Sequence, residues 1–179
     1  MSIMDTPLDS VPAEELVEHI KGLREYVRNA SDPNETGPNG RTCVSLALSF
    51  CGERDGVDIL RSLLAKGGDP NRPTAVQNFI TYTLVAKTTS PLALLISSGL
   101  DVNQIGTATG DSAFTGNGPF TMLDYALNIR AYLKKKRKSL SALANEHVGS
   151  GSFGARRQLI DDTIALLQAH GAKSASELV

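Results

Sequence analysis

"LLAKGGDPN" at 63–71 and "LLISSGLDVN" at 94–103 read almost alike, with their glycines, Gly67 and Gly99, thirty-two residues apart. Each is an apolar helix end, a glycine and an Asp-x-Asn turn. Gly171 closes a third apolar stripe, and Asp32-Pro33-Asn34 echoes the turn earlier in the chain. Ahead of the three glycines stand Ile59, Leu60, Leu63 and Leu64; Leu92, Leu95 and Ile96; and Leu159, Ile160, Ile164, Leu166 and Leu167, each set at helical spacing. The glycine supplies the left-handed residue that stops a helix, and Asp and Asn side chains hold the turn after it. The spacing therefore predicts helices that stop and reverse at a regular interval, an all-α repeat.

A second helix precedes each stop. "GRTCVSLAL" (40–48) and "FTMLDYAL" (120–127) share a Thr, an apolar step, then Ala and Leu. Together the pieces resemble the ankyrin repeat, whose unit is a turn, a Thr-Pro-Leu-His-x-Ala helix, a second helix and a Gly-Ala-Asp-x-Asn reversal. Thr42 and Ala47, and Thr121 and Ala126, fall on the family's Thr and Ala positions, and Val57 to Asn71 matches the second helix and turn without a gap. Ser45 and Asp124 replace the family's His, and Cys43 and Met122 its Pro. The middle copy, "NFITYTLVAK" (78–87), keeps only Thr81 and Ala86. The 32-residue interval lies close to the family's period of about 33, whereas Gly99 to Gly171 spans 72 residues. The resemblance covers roughly residues 30–173. It implies a short ankyrin-like helical solenoid with elongated loops: a capping helix at 11–30, repeats at 40–71, 76–103 and 120–173, and an insertion at about 134–155 in the last.

The cap follows from its own residues. In "VPAEELVEHIKGLREYVRNA" (11–30), Leu16, Ile20, Leu23 and Val27 form one face and the others are charged. A one-sided helix suits the end of a stack, which has a neighbour on one side only. Arg156, Arg157, Asp161, Asp162, Gln168 and His170 give the last helix a similar polar side.

The 179 residues, 41% of them hydrophobic, fit one domain with a real core. The net charge of −1 and the 5% of aromatic residues exclude the overall basic field of a nucleic-acid binder. Charge is nonetheless polarised: residues 1–35 hold eight acids against three bases, and 127–157 hold eight bases against one Glu. No apolar run has the length of a membrane span and the N-terminus lacks a signal-peptide pattern, so a cytoplasmic protein is expected. Cys43 and Cys51 fit neither a disulfide framework nor zinc spacing and read as packed, reduced thiols.

Residues 134–138, "KKKRK", continue the helix that begins near Phe120. Because successive helical residues turn about 100°, five cations in a row leave no face to bury. The plain reading is a solvated extension of that helix; the same run would serve an acidic protein partner or a nucleic acid. Two glycine-rich stretches, "GTATGDSAFTGNG" (106–118) and "GSGSFG" (149–154), read as loops, with Phe114 and Phe153 as lone aromatics. The second spells G-x-G-x-x-G, but no strand precedes it as a phosphate cradle requires. His19, His147 and His170 share no local motif with a nucleophile or paired carboxylate, so no catalytic residue, cofactor or metal ligand is assigned and the chain is expected not to be an enzyme.

The function that the resemblance implies is protein–protein recognition, with a cytosolic inhibitor or immunity-type protein as its sharper form: binding and neutralising a partner protein such as a cognate toxin or effector. Its loops and inner helices place the contacts at Arg72, Gln77, Asn78 and Tyr82, at Gln104, Asp111, Phe114 and Asn117, and at Tyr125 and Tyr132; the basic run adds Lys134 and Lys135. The alternative is a nucleotide- or nucleic-acid-binding protein using the glycine-rich loop 149–154 and the basic run 134–138. No membrane partner is expected.

Overall fold

A computed structural model of the chain describes residues 11–12, 14–37, 40–72, 75–107, 118–143 and 150–178, without the side chains of Leu16, 136–143 and 150–152. The described residues are mostly helical: α1 (Leu16–Asn29), α2 (Cys43–Ser49), α3 (Gly56–Ala65), α4 (Val76–Ala86), α5 (Ser90–Ser97), α6 (Met122–Leu143), α7 (Ser150–Ala169) and α8 (Ala175–Leu178). Among them the sheet is one antiparallel pair, β1 (Gly106–Thr107) and β2 (Pro119–Phe120), with Gly106 opposite Phe120. The chain forms two compact units, residues 1–74 with 94–100, and residues 75–93 with 101–179.

The glycine stops are built alike. Gly67, Gly99 and Gly171 have φ of 89°, 95° and 77°, a conformation in which a Cβ is strained. Gly67 N–H donates to the Leu64 carbonyl at 3.0 Å and Gly68 N–H to that of Leu63 at 2.9 Å; Gly99 and Leu100, and Gly171 and Ala172, repeat the pattern at 3.0–3.1 Å. These paired bonds satisfy carbonyls that a helix end leaves open. In each Asp-x-Asn turn the Asp carboxylate accepts from the amide two residues on: Asp32 from Asn34 N–H (2.8 Å), Asp69 from Asn71 N–H (2.8 Å) and Asp101 from Asn103 N–H (2.9 Å).

The Asn side chains do something local sequence does not reveal. Asn34 Nδ2 donates to the Gly67 carbonyl at 2.9 Å while its Oδ1 accepts from Asp69 N–H at 2.7 Å. Asn103 does the same with Gly171 (3.3 Å) and Lys173 (2.8 Å), and Asn71 Nδ2 reaches the Gly99 carbonyl at 2.9 Å. Each turn is thus bonded to the next glycine stop along the chain.

Helix starts explain the replaced His positions. Thr42 and Ser45 form a reciprocal capping box on α2: Ser45 N–H donates to Thr42 Oγ1 (3.2 Å) and Thr42 N–H to Ser45 Oγ (2.9 Å). On α6, Asp124 N–H donates to Thr121 Oγ1 (3.3 Å) and Thr121 N–H to Asp124 Oδ2 (2.9 Å). The same carboxylate accepts from Ala175 N–H at 2.8 Å, which seats the start of α8. Thr81 lies inside α4, its hydroxyl donating to the Gln77 carbonyl at 3.0 Å; α4 starts after Ala75 without a side-chain cap.

In the first unit, Leu23 and Val27 of α1 pack with α2, buried from Cys43 to Leu48, and with Ile59, Leu60 and Leu63 of α3. A Cβ on Gly56 would stand 1.9 Å from the Phe50 carbonyl oxygen, so the α2–α3 turn admits only glycine. The charged side of α1 is partly consumed: Arg24 pairs with Glu53 and Asp55, and Arg28 with Asp55, tying the cap to that turn. In the second unit, Val76, Phe79, Ile80 and Thr83 of α4 bury beside Met122, Ala126 and Ile129 of α6 and Ile160, Thr163, Ile164 and Leu167 of α7.

The expected loop at 149–154 is corrected from residue 150 onward, where α7 begins and runs through Gly151 and Gly154. Glycine weakens a helix interior by about 1 kcal/mol relative to Ala. The first-turn amides have no intrahelical partner in any case, and the packing of α7 on α6 carries the remainder. The basic run lies inside α6, as a continued helix requires.

Candidate recognition surface

The expected contact residues fall on three kinds of place. On α4 the buried face at Val76, Phe79, Ile80 and Thr83 turns Thr81 and Val85 outward, with Gln77, Asn78 and Tyr82 half-buried. Val85, which the sequence reading did not single out, is 54% exposed. α6 packs against α4 and buries Met122, Ala126 and Ile129, leaving Lys134 and Lys135 exposed and Tyr132 41% exposed. The bases of both helices are held by groups of their own unit: α6 by the Thr121–Asp124 box, α4 by Val76 packed near Gly106, where an added Cβ would stand 3.2 Å from Val76 Cβ and 2.9 Å from Phe120 Cζ.

Tyr125 does not belong to this surface. Its side chain is 8% exposed and its ring lies 6.2 Å from that of Phe120, centroid to centroid. Tyr125 is a core residue because β2 brings Phe120 onto the start of α6. Arg72 is exposed, but its guanidinium donates to the Asn34 carbonyl at 3.1 Å and so braces the earlier turn. Gln104 is half-buried in the turn after Asn103. Asp111, Phe114 and Asn117 lie outside the described residues, as does His147. Phe153 stands half-buried on α7.

Two features escaped the sequence reading. A shallow cleft of about 250 Å³ is lined by Glu25, Tyr26, Asn29, Ala30, Ser31 and Glu35, with Tyr26 O–H donating to Glu35 at 2.6 Å. On the other unit, Asp161 of α7 stands between Arg130 of α6 (3.7 Å) and Arg157 (3.9 Å). The excess of bases over 127–157 was the signal for the second; nothing local pointed to the first.

Both thiols are buried and unbridged. Burial pushes Cys43 up to about 11, with the carboxylates of Glu35 and Asp32 adding to the rise, and burial alone pushes Cys51 up to about 12. Each is therefore a protonated thiol at neutral pH, without nucleophilic character. Among the described residues no group of three His, Cys, Asp or Glu side chains could hold a metal ion, and no helix is long and apolar enough to cross a membrane. His170 is exposed beside Gly171 at the end of α7.

Comparison with known protein families, curated proteins and solved structures finds no match to this chain.

Proposed function

We propose that the chain is a non-catalytic protein-recognition module, an ankyrin-like solenoid whose α4 and α6 carry the contact surface. The observation that carries this reading is the threefold recurrence of one joint: an Asx turn whose Asn side chain is bonded to the next glycine stop. A surface held by such joints is ordered before it meets a partner, and so loses little conformational entropy on docking. Exposed Val85 and Tyr132, on helices locked at their bases, are the apolar anchors such a surface needs. Binding is then the output itself, as in a cytosolic inhibitor or immunity-type protein that neutralises its partner. The helical course of 150–154 favours recognition over the nucleotide-binding alternative.

Affinity capture from native lysate, comparing the wild type with a Val85→Ser/Tyr132→Ala variant, tests the reading. It requires a protein retained by the wild type and lost by the variant while both keep the same helical circular dichroism. No protein retained at low salt, or equal retention by a folded variant, contradicts it.

A further inference from the structure

The α6–α7 hairpin carries the densest positive charge among the described residues, and its arrangement is specific. Six residues join the two helices, so they run antiparallel, and the 3.7 Å approach of Arg130 to Asp161 sets their register. One turn further along α6 come Lys134 and Lys135; one turn back along α7 come Arg157 and Arg156. At 1.5 Å rise per residue these four side chains start at about the same level, roughly 6 Å beyond Arg130 and Asp161. All four are exposed.

Asp161 divides its two carboxylate oxygens between Arg130 and Arg157, at 3.7 and 3.9 Å. Both distances exceed the roughly 2.8 Å of a charge-assisted hydrogen bond. The carboxylate therefore lies beside the two guanidinium groups without occupying their donors. Two planar forks held about one carboxylate, with two lysines beside them, form a receptor for further carboxylates.

We propose, on the recognition reading above, that this flank of the hairpin docks an acidic segment of the protein partner. Arg130 and Arg157 take its carboxylates, and Lys134 and Lys135 speed its approach. Local composition favours an acidic protein over a nucleic acid. Asp161 lies within the patch; a phosphate backbone offers only acceptors and is repelled by it, whereas a polypeptide also brings amide donors that pair with it. The net charge of −1 on the whole chain supplies no field that would draw a long polyanion.

The test uses the full chain and a fluorescein-labelled oligoglutamate peptide, with a single-stranded oligodeoxynucleotide of equal formal charge as comparator, followed by anisotropy. The peptide is expected to bind more tightly than the oligonucleotide. Arg130→Gln/Arg157→Gln should weaken peptide binding about tenfold, and Arg130→Lys/Arg157→Lys, which keeps charge but loses the forks, by an intermediate factor. Tighter binding of the oligonucleotide overturns the assignment in favour of a phosphate polymer. Unchanged affinity in the Gln variant, or no peptide binding by the wild type, overturns it outright. A lysate partner captured equally by the wild type and the Gln variant sinks the acidic-segment assignment and leaves recognition standing. Failure of the wild type to capture any protein sinks the recognition reading itself.

Discussion

Replacing Asn103 by Ala removes a two-pronged bond that spans about seventy residues of chain, between the Asp101 turn and the Gly171 stop. The Nδ2 donation to the Gly171 carbonyl (3.3 Å) and the Oδ1 acceptance from Lys173 N–H (2.8 Å) both vanish, while the backbone Asx bond to Asp101 stays. A net hydrogen bond contributes about 0.5–1.5 kcal/mol, and the longer of these two belongs at the low end. Asn103 is only half-buried, so the abandoned carbonyl and amide regain water in part, and the loss should come to about 1–2 kcal/mol. For a chain of this length that corresponds to a fall in Tm of roughly 2–8 °C. Asn34→Ala removes the equivalent pair at 2.9 and 2.7 Å and should cost the same or slightly more. Asn103→Asp keeps the acceptor and should fall between wild type and Ala. Gln168→Ala, an exposed position on α7, is the control and should stay within about 0.5 kcal/mol. Urea titration gives the free energies, and hydrogen exchange at the Asp69 and Lys173 amides reads the bonds directly. If both Asn→Ala variants match the control and neither amide exchanges faster, the side-chain bridges do not hold the turns to the glycine stops.

Lys87 ends α4 in the left-handed region at φ 56°; Lys87→Gly should stabilise the protein by about 0.5–1 kcal/mol in the same titration. The thiol pKa values, near 11 for Cys43 and 12 for Cys51 against an ordinary 9.0, set a pH dependence. Because the folded state holds these protons more tightly, their contribution is complete below about pH 9 and is lost as pH rises through the folded values. Stability of the wild type should therefore fall more steeply above that pH than that of Cys51→Ala, by at most about 1.4 kcal/mol per pH unit; parallel curves would contradict buried protonated thiols. Asp55→Asn removes the carboxylate shared by Arg24 and Arg28; it should cost about 1 kcal/mol at low ionic strength and less in high salt, measured by thermal unfolding at both.

The helix stops were legible because a positive φ restricts the residue type: Gly67, Gly99 and Gly171 announce themselves without reference to anything distant. Thr42 and Thr121 were legible as helix caps, which is also a local signal. Ser45 and Asp124 looked like departures from the family pattern, yet a capping box asks only for an acceptor at the third helical position, and both supply one. Thr81, matched to the family's Thr by resemblance alone, lies inside α4, which starts after Ala75 without a side-chain cap. What sequence could not show is non-local. The Asn bridges join residues 28 to 70 positions apart, the Arg24 and Arg28 pairs reach the α2–α3 turn, and Tyr125 is withdrawn from the surface by a phenylalanine on a neighbouring strand. The glycines at 151 and 154 signal a loop by propensity, and the packing of α7 on α6 overrides them.

Hydrogen–deuterium exchange across the chain, free and loaded with the captured partner, tests the recognition account most directly. Slowed exchange at 76–86 and 122–135 is the expected result. Protection confined to α3, or a partner that leaves both segments unchanged, would contradict it.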